Sequence, residues 1–288
     1  AKVTSTLVPA MALIYFVGAV LVIATNYENI LPSLSSIFTD AFTGSAAVGG
    51  FLGAGFAFTF NKGVNRGLFS NEAGQGTGPH AAAASEVQHP AQQGLVQAFS
   101  VYVDTLFVCS ATAFMILITG MYNVFPESTG IFVVQNLPAE TIIDSPAFTQ
   151  FALESTMGGF GKIFVAVALF FFAFTTLLAY YYIAETNVAY LRRFFRIPYE
   201  LTILKLLLMA SVFYGSVRTA SLAWGLGDIG VGLMAWLNIV GILLLFFVGQ
   251  PAIRALKDYE EQHRAGVQKY TFDPEKLGIK NADFWKNR

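Results

Sequence analysis

The chain has 288 residues, 55% of them hydrophobic and only 12% charged, against roughly 25% charged in soluble domains. A mean hydropathy of +0.57 marks an integral membrane protein, and a formal net charge of −1 provides no basic field for nucleic acid. The single cysteine, Cys109, excludes a disulfide within this chain and a cysteine-rich metal centre.

A membrane-spanning helix takes about 20 mostly apolar residues. The first such run covers 7–25, with Pro9 in its opening turn. A weakly acidic connection follows at 27–40, with room for a short helix. The second run begins at Gly44 and is laced with glycine (GSAAVGGFLGAGFAFTF). Small residues of this kind let helices approach closely. Past Lys62 and Arg66 it enters NRGLFSNEAGQGTGPHAAAAS at 65–85. Gly67, Gly74, Gly76 and Gly78 with Pro79 do not carry an uninterrupted helix, so a broken span over 44–84 is expected. Ser70, Asn71, Glu72, Gln75 and Thr77 offer oxygens or amide donors there. Irregular backbone at membrane depth is tolerated only where protein buries it or where it lines a watery cavity. In transporters such breaks point to the binding site. A glycine-rich cytoplasmic loop is the plainer reading of the same composition.

The third span is expected at 92–120, with Asp104 near its middle. A carboxylate there carries an insertion cost, so it faces a cavity or a partner: a coupling group, or a structural one held by backbone N–H groups or Arg66. Residues 121–158 read as a loop carrying Glu127, Asp144 and Glu154. The fourth span, 163–184, holds Thr175 and Thr176. Hydroxyl oxygens suit a hard monovalent cation, although threonines bonding back onto their own helix are the commoner explanation. Arg192, Arg193 and Arg196 follow, then spans at 201–220 and 230–248. Lys and Arg in short loops mark the inner side, which puts Lys2, Lys62, Arg66, the arginine cluster, Arg254 and Lys257 in the cytoplasm with both ends of the chain. A transmembrane domain at 1–250 and a cytoplasmic helix and tail at 251–288 result. His80, His89 and His263 have no ligand-like spacing for zinc, and no nucleotide-binding GxxxxGK[ST] occurs.

Three blocks carry a resemblance: GVNRGLFSNEAGQGTGP with the alanine run behind it, DTLFVCSATAFMILITG at 104–120, and FAFTTLLAYYYIAE at 172–185. They resemble the alanine or glycine:cation symporter family, and GDIGVGLMAWLNIVGILLL in the last span follows the family's general run. The resemblance implies an all-α integral membrane bundle of leucine-transporter type, built from five-plus-five inverted repeats. The spans here, about six with one discontinuous, would be its fifth to tenth helices, the amino-terminal half being absent from this chain. It implies sodium-coupled symport of a small neutral amino acid, alanine or glycine, by alternating access across a bacterial or archaeal plasma membrane. Sodium is then the coupling ion, the lipid bilayer and the missing half are the partners, and there is no cofactor, enzymatic step or nucleic acid. Phe69, Ser70, Asn71, Gly74, Gly76 and Tyr180 would line the substrate site, with Thr175 and Thr176 on sodium. Unwinding near 69–76 would offer backbone N–H groups and a half-helix N-terminus to the substrate carboxylate. Asp104 and Glu72 would be coupling or structural groups. Family members commonly carry Trp where this chain has Tyr180. Two rival readings stand beside this one. GLGD at 225–228 resembles the motif of intramembrane aspartyl proteases, with Asp228 and Asp104 as a proton-sharing pair. The other is a non-transporting membrane subunit.

Overall fold

The computed structural model describes residues 2–42, 52–125, 132–140, 147–195 and 197–286. The opening of the expected second span (44–51), Glu127, Asp144 and Arg196 lie outside these. The described chain is almost wholly helical. In order come α1 (Lys2–Thr25), α2 (Ile30–Phe42), α3 (Leu52–Asn71), α4 (Gly78–Ala83), α5 (Pro90–Val103), α6 (Ser110–Thr119), α7 (Ala147–Met157), α8 (Phe160–Leu191), α9 (Glu200–Val217), α10 (Ala220–Val248), α11 (Pro251–Arg264) and α12 (Asp283–Lys286). The only strands among the described residues are the two-residue pair β1 (Asn123–Val124) and β2 (Val134–Gln135).

Among the described residues five helices are long and apolar enough to cross a membrane: Thr6–Thr25, Pro90–Thr119, Phe160–Leu191, Glu200–Val217 and Ser221–Val248. Their side chains are largely exposed, Trp236, Leu237 and Phe247 among them. In water such a surface would drive association; in hydrocarbon it is at no disadvantage. The protein is therefore a multi-pass, helical membrane protein. Compared with the expected spans, α10 starts ten residues early, at Ala220 rather than 230, because Gly225 and Gly227 are tolerated inside the helix. The loop at 121–158 contains a helix, α7.

The third span is continuous but irregular. Asp104–Cys109 winds as a π-helix between α5 and α6, and Ser110 Oγ donates to Thr105 O at 3.1 Å, five residues back. Inserted π turns re-aim the side chains on either side of them and are frequent at functional sites.

The chain divides into two compact units, residues 1–65 with 105–224, and residues 66–104 with 225–288. The first has a core of Ala19, Val22, Ala111, Met115, Ala152, Leu153 and Val165, supplied by α1, α6, α7 and α8. Small residues dominate it because helices in lipid gain from close backbone approach rather than from expelling water. Gly161 is the extreme case: a Cβ there would lie 2.5 Å from the backbone N of Glu154. Polar ties add to the packing, Tyr15 Oη to Thr112 Oγ1 at 2.7 Å and Asn29 Nδ2 to Ile118 O at 2.8 Å. Arg192 of the basic cluster pairs with Glu200 at the start of α9, 2.5 Å apart.

The second unit is organised on His89, which is fully buried. It caps α5: Nδ1 accepts from Ala91 N at 3.1 Å, while Gln92 Oε1 accepts from the His89 N–H at 3.1 Å. Its Nε2 faces Asp258 Oδ2 of α11 at 3.2 Å. The imidazole lies against Tyr259 and Phe272, with ring centroids 5.3 and 5.0 Å away. Gln262 on α11 then holds Thr271 through both its N–H and its C=O, at 2.9 and 2.7 Å. Tyr270 N donates to Gln88 Oε1 at 3.0 Å. The tail beyond α11 is thus fastened to the linker that precedes α5.

Candidate functional site

The glycine-rich stretch breaks the helix where the backbone demands it. α3 continues through Phe69 and Ser70 and ends at Asn71, so the unwound segment is 72–77 rather than 69–76. Glu72 takes the left-handed conformation, φ 57°, and Gly74 and Gly76 follow at φ 92° and 86°. A left-handed residue directly after the last turn is a common way to stop a helix. Gly67, by contrast, stays inside α3, and Gly78 with Pro79 opens α4, where proline has no N–H to lose.

A helix end leaves carbonyls and N–H groups without intrahelical partners. Here the segment's own side chains supply them. Gln75 Nε2 donates to Leu68 O, and Asn71 Oδ1 accepts from Ala73 N at 3.0 Å. Thr77 Oγ1 donates to Glu72 Oε2 at 2.5 Å, closing the loop from end to end. Gln75 N donates to Glu72 O at 3.1 Å. Gln75 and Thr77 are buried, and the side-chain oxygen of Gln75, Oε1, is buried without a hydrogen-bond partner. Because α3 runs into the break, it presents its C-terminal, electronegative end there; the electropositive end belongs to α4.

Two neighbours complete this part. Ser70 Oγ donates to Asp104 Oδ2 at 2.7 Å, which ties the last turn of α3 to the residue where the π turn begins. The ring of Phe69 packs at Gly227 of α10, where a Cβ would come within 3.2 Å of it. A cavity of about 840 Å³ is lined by Asn71, Gly74, Gly76 and Gln97, by Asn238 of α10, and by Trp285 of the tail. From the sequence alone, Asn238 has no assigned role, His89 is named only as unsuited to zinc, and the tail only as a cytoplasmic segment. A lone polar residue in an otherwise apolar span was the available signal for the first, and His-Pro before an amphipathic run for the second.

The remaining predicted residues fall in the first unit, on α8. Thr175 is buried, and its hydroxyl donates back to Phe171 O at 3.0 Å and Phe172 O at 3.1 Å. Thr176 is exposed and Tyr180, one turn on, is half-buried. Phe69, Ser70, Asn71, Glu72, Gly74, Gly76 and Asp104 therefore share one compact unit, and Thr175, Thr176 and Tyr180 share the other. Among the described residues no cluster of three or more His, Cys, Asp or Glu is placed to hold a metal ion.

Comparison with known proteins resolves the family. Residues 1–274 match the sodium:alanine symporter family. The chain belongs to that family. It is 54% identical over 286 residues to YrbD of Bacillus subtilis, covering 99% of this chain and 57% of that protein. It is 51% identical over 287 residues to the sodium/proton-dependent alanine carrier protein of Bacillus sp. PS3, covering 100% of this chain and 62% of that one. The sodium/alanine symporter AgcS of Methanococcus maripaludis is 32% identical over 249 residues, 85% of this chain and 49% of AgcS. The chain thus spans roughly half to three-fifths of the length of these relatives. Membership in a transporter family means that the chain is not an enzyme, and the aspartyl protease reading of Asp104 and Asp228 is withdrawn. GLGD is a stretch of α10, and Asp104 accepts a hydrogen bond from Ser70.

Proposed function

We propose that the full-length polypeptide containing this chain is a sodium-coupled symporter of small neutral amino acids, alanine or glycine, working by alternating access in the plasma membrane. The observation that carries the reading is the break at 72–77, with two glycines in left-handed geometry just past the end of α3, in a chain of the sodium:alanine symporter family. Backbone at Gly74 and Gly76 would allow close approach of a ligand, with the ring of Phe69 beside it limiting the ligand to a small side chain; Tyr180 of α8 is the second aromatic assigned to the substrate. Ser70 and Asn71, on the last turn of α3, would contact the amino acid, and Tyr180, where family members commonly carry Trp, would shorten the aromatic wall and add a hydroxyl.

Sodium would take oxygens from Thr175 and Thr176. A hydroxyl that donates to its own helix, as Thr175 does, still turns its lone pairs outward and remains able to ligate a cation. Asp104 and Glu72 support the site: each carboxylate accepts a hydroxyl hydrogen bond that fixes a part of the broken helix. The segment 1–250 would form the membrane domain and 251–288 a cytoplasmic helix and tail, with both ends of this chain inside. No bond is made or broken in the cycle; binding energy shifts the balance between two access states.

Replacing Asn71 or Thr176 with Ala in the full-length protein is expected to abolish sodium-driven alanine uptake into cells or proteoliposomes. Uptake at the unsubstituted rate in both variants would overturn the assignment.

A further inference from the structure

Between Asp228 and the end of α10 the sequence is IGVGLMAWLNIVGILLLFFV, in which Asn238 is the sole polar side chain. An amide in a membrane span is costly unless hydrogen-bonded. Asn238 Nδ2 donates to Gly74 O at 2.9 Å. That carbonyl lies in the unwound segment, outside any helical ladder. The body of the same side chain occupies the space beside Gly76, where a Cβ would stand 3.0 Å from both Cγ and Oδ1 of Asn238. Gly74 and Gly76 also both have left-handed φ, at 92° and 86°. One side chain therefore holds the carbonyl of the first and packs against the α-carbon of the second.

We infer that Asn238 is a positioning residue for the substrate segment: it latches the unwound backbone at 74–76 to α10 and keeps it in the binding-competent shape. This inference rests on the reading of 72–77 as part of the substrate site. Its physical basis is that the hydrogen bonds within the segment join residues 68–77 to one another, so they shape the turn without holding it against α10. The latch does that. With it, residues 74–76 and this part of α10 move as a body; without it the segment samples other shapes, and apparent affinity falls by the fraction of time spent in the competent one. The maximal rate, set by the access transition, is preserved.

The test uses the full-length protein in proteoliposomes, with Asn238→Leu (similar volume, no donor) and Asn238→Ala (no donor, space left open). Both are expected to raise KM for alanine by roughly fivefold, the worth of one net hydrogen bond, with the maximal rate per molecule within about twofold of the parent. A second readout does not depend on transport. Ala73 is exposed, so Ala73→Cys in a protein whose other cysteines are serine reports the mobility of the segment through its rate of maleimide labelling. Both Asn238 variants should accelerate that labelling severalfold. If neither KM nor labelling moves in either variant, the latch is overturned. A drop in maximal rate alone, with KM and labelling unchanged, would also overturn it, since that is the mark of a merely structural residue. Should the parent take up no alanine at all, the transport reading fails, and the labelling comparison still decides the latch.

Discussion

Thr77 and Thr175 carry the same hydroxyl, both are buried, and they solve the same problem in opposite ways. Thr175 sits in a regular helix and bonds to Phe171 and Phe172 O, carbonyls that helical geometry places beside it automatically. Thr77 lies past the end of a helix and bonds to Glu72 Oε2 across a turn containing two left-handed glycines. The first arrangement would form in almost any helix with that sequence. The second exists only if Asn71, Glu72, Gln75 and Thr77 all take their places together. The centre of α8 is therefore robust and its function depends on what approaches it, whereas the break at 72–77 is cooperative and its function depends on its own shape.

The sharpest way to break this contrast is Gly76→Ala. A side chain there meets both φ 86° and Asn238. Backbone strain of roughly 1–3 kcal/mol should cut alanine uptake by roughly ten- to a hundredfold at equal protein in the membrane. Uptake within twofold of the parent would show that the segment is as tolerant as an ordinary loop. A smaller and more selective effect is expected on α8. Thr175→Val keeps shape and helix while removing the oxygen. It should raise the sodium concentration for half-maximal uptake by roughly fivefold, the scale of one lost neutral contact. The melting midpoint should move by under about 2 °C, and Thr175→Ser should restore sodium affinity. If the melting midpoint falls and sodium affinity does not, Thr175 is structural only.

The smallest effect concerns the fastening of the tail. Burial pushes the His89 imidazole below its ordinary value of 6.5, outweighing the upward pull of Asp258. Nδ1 accepts from Ala91 N, so the buried ring is neutral, and protonation requires giving up the cap. A depressed value in the docked state means that the released state binds more protons, so docking strengthens with rising pH. The contribution is complete above about pH 6.5 and is lost as pH falls below it. Protection of residues 267–286 from a protease should therefore decline between pH 7.5 and 5.5. His89→Asn, which retains a capping oxygen and does not titrate, should flatten that decline. An unchanged pH profile in His89→Asn would assign the titration to another group.

The membrane character of this chain and the approximate places of five spans follow from runs of Leu, Ile, Val, Phe and Ala, because burial in lipid selects on composition over a fixed length; the broken span expected over 44–84 is not among the described helices apolar enough to cross. The helix break was legible for a similar reason: Gly74, Gly76 and Pro79 are local conformational statements, independent of neighbours. Its limits were less so. α3 carries on through Gly67 to Asn71, since a single glycine costs a helix only about 1 kcal/mol, and α10 likewise absorbs Gly225 and Gly227. The π turn at Asp104–Cys109 left no mark in the residue pattern.

What only the tertiary structure decided are the pairings of residues far apart in the chain: Ser70 with Asp104, Asn238 with Gly74, and His89 with Asp258. Each is a polar group in or beside an apolar span, and the sequence shows that such a group needs a partner. Which partner it finds depends on how the elements pack within their unit, because a hydrogen bond reaches only about 3 Å. Local sequence thus determined where the chain is helical, where it must break and which family it belongs to; packing alone determined what holds the break in shape.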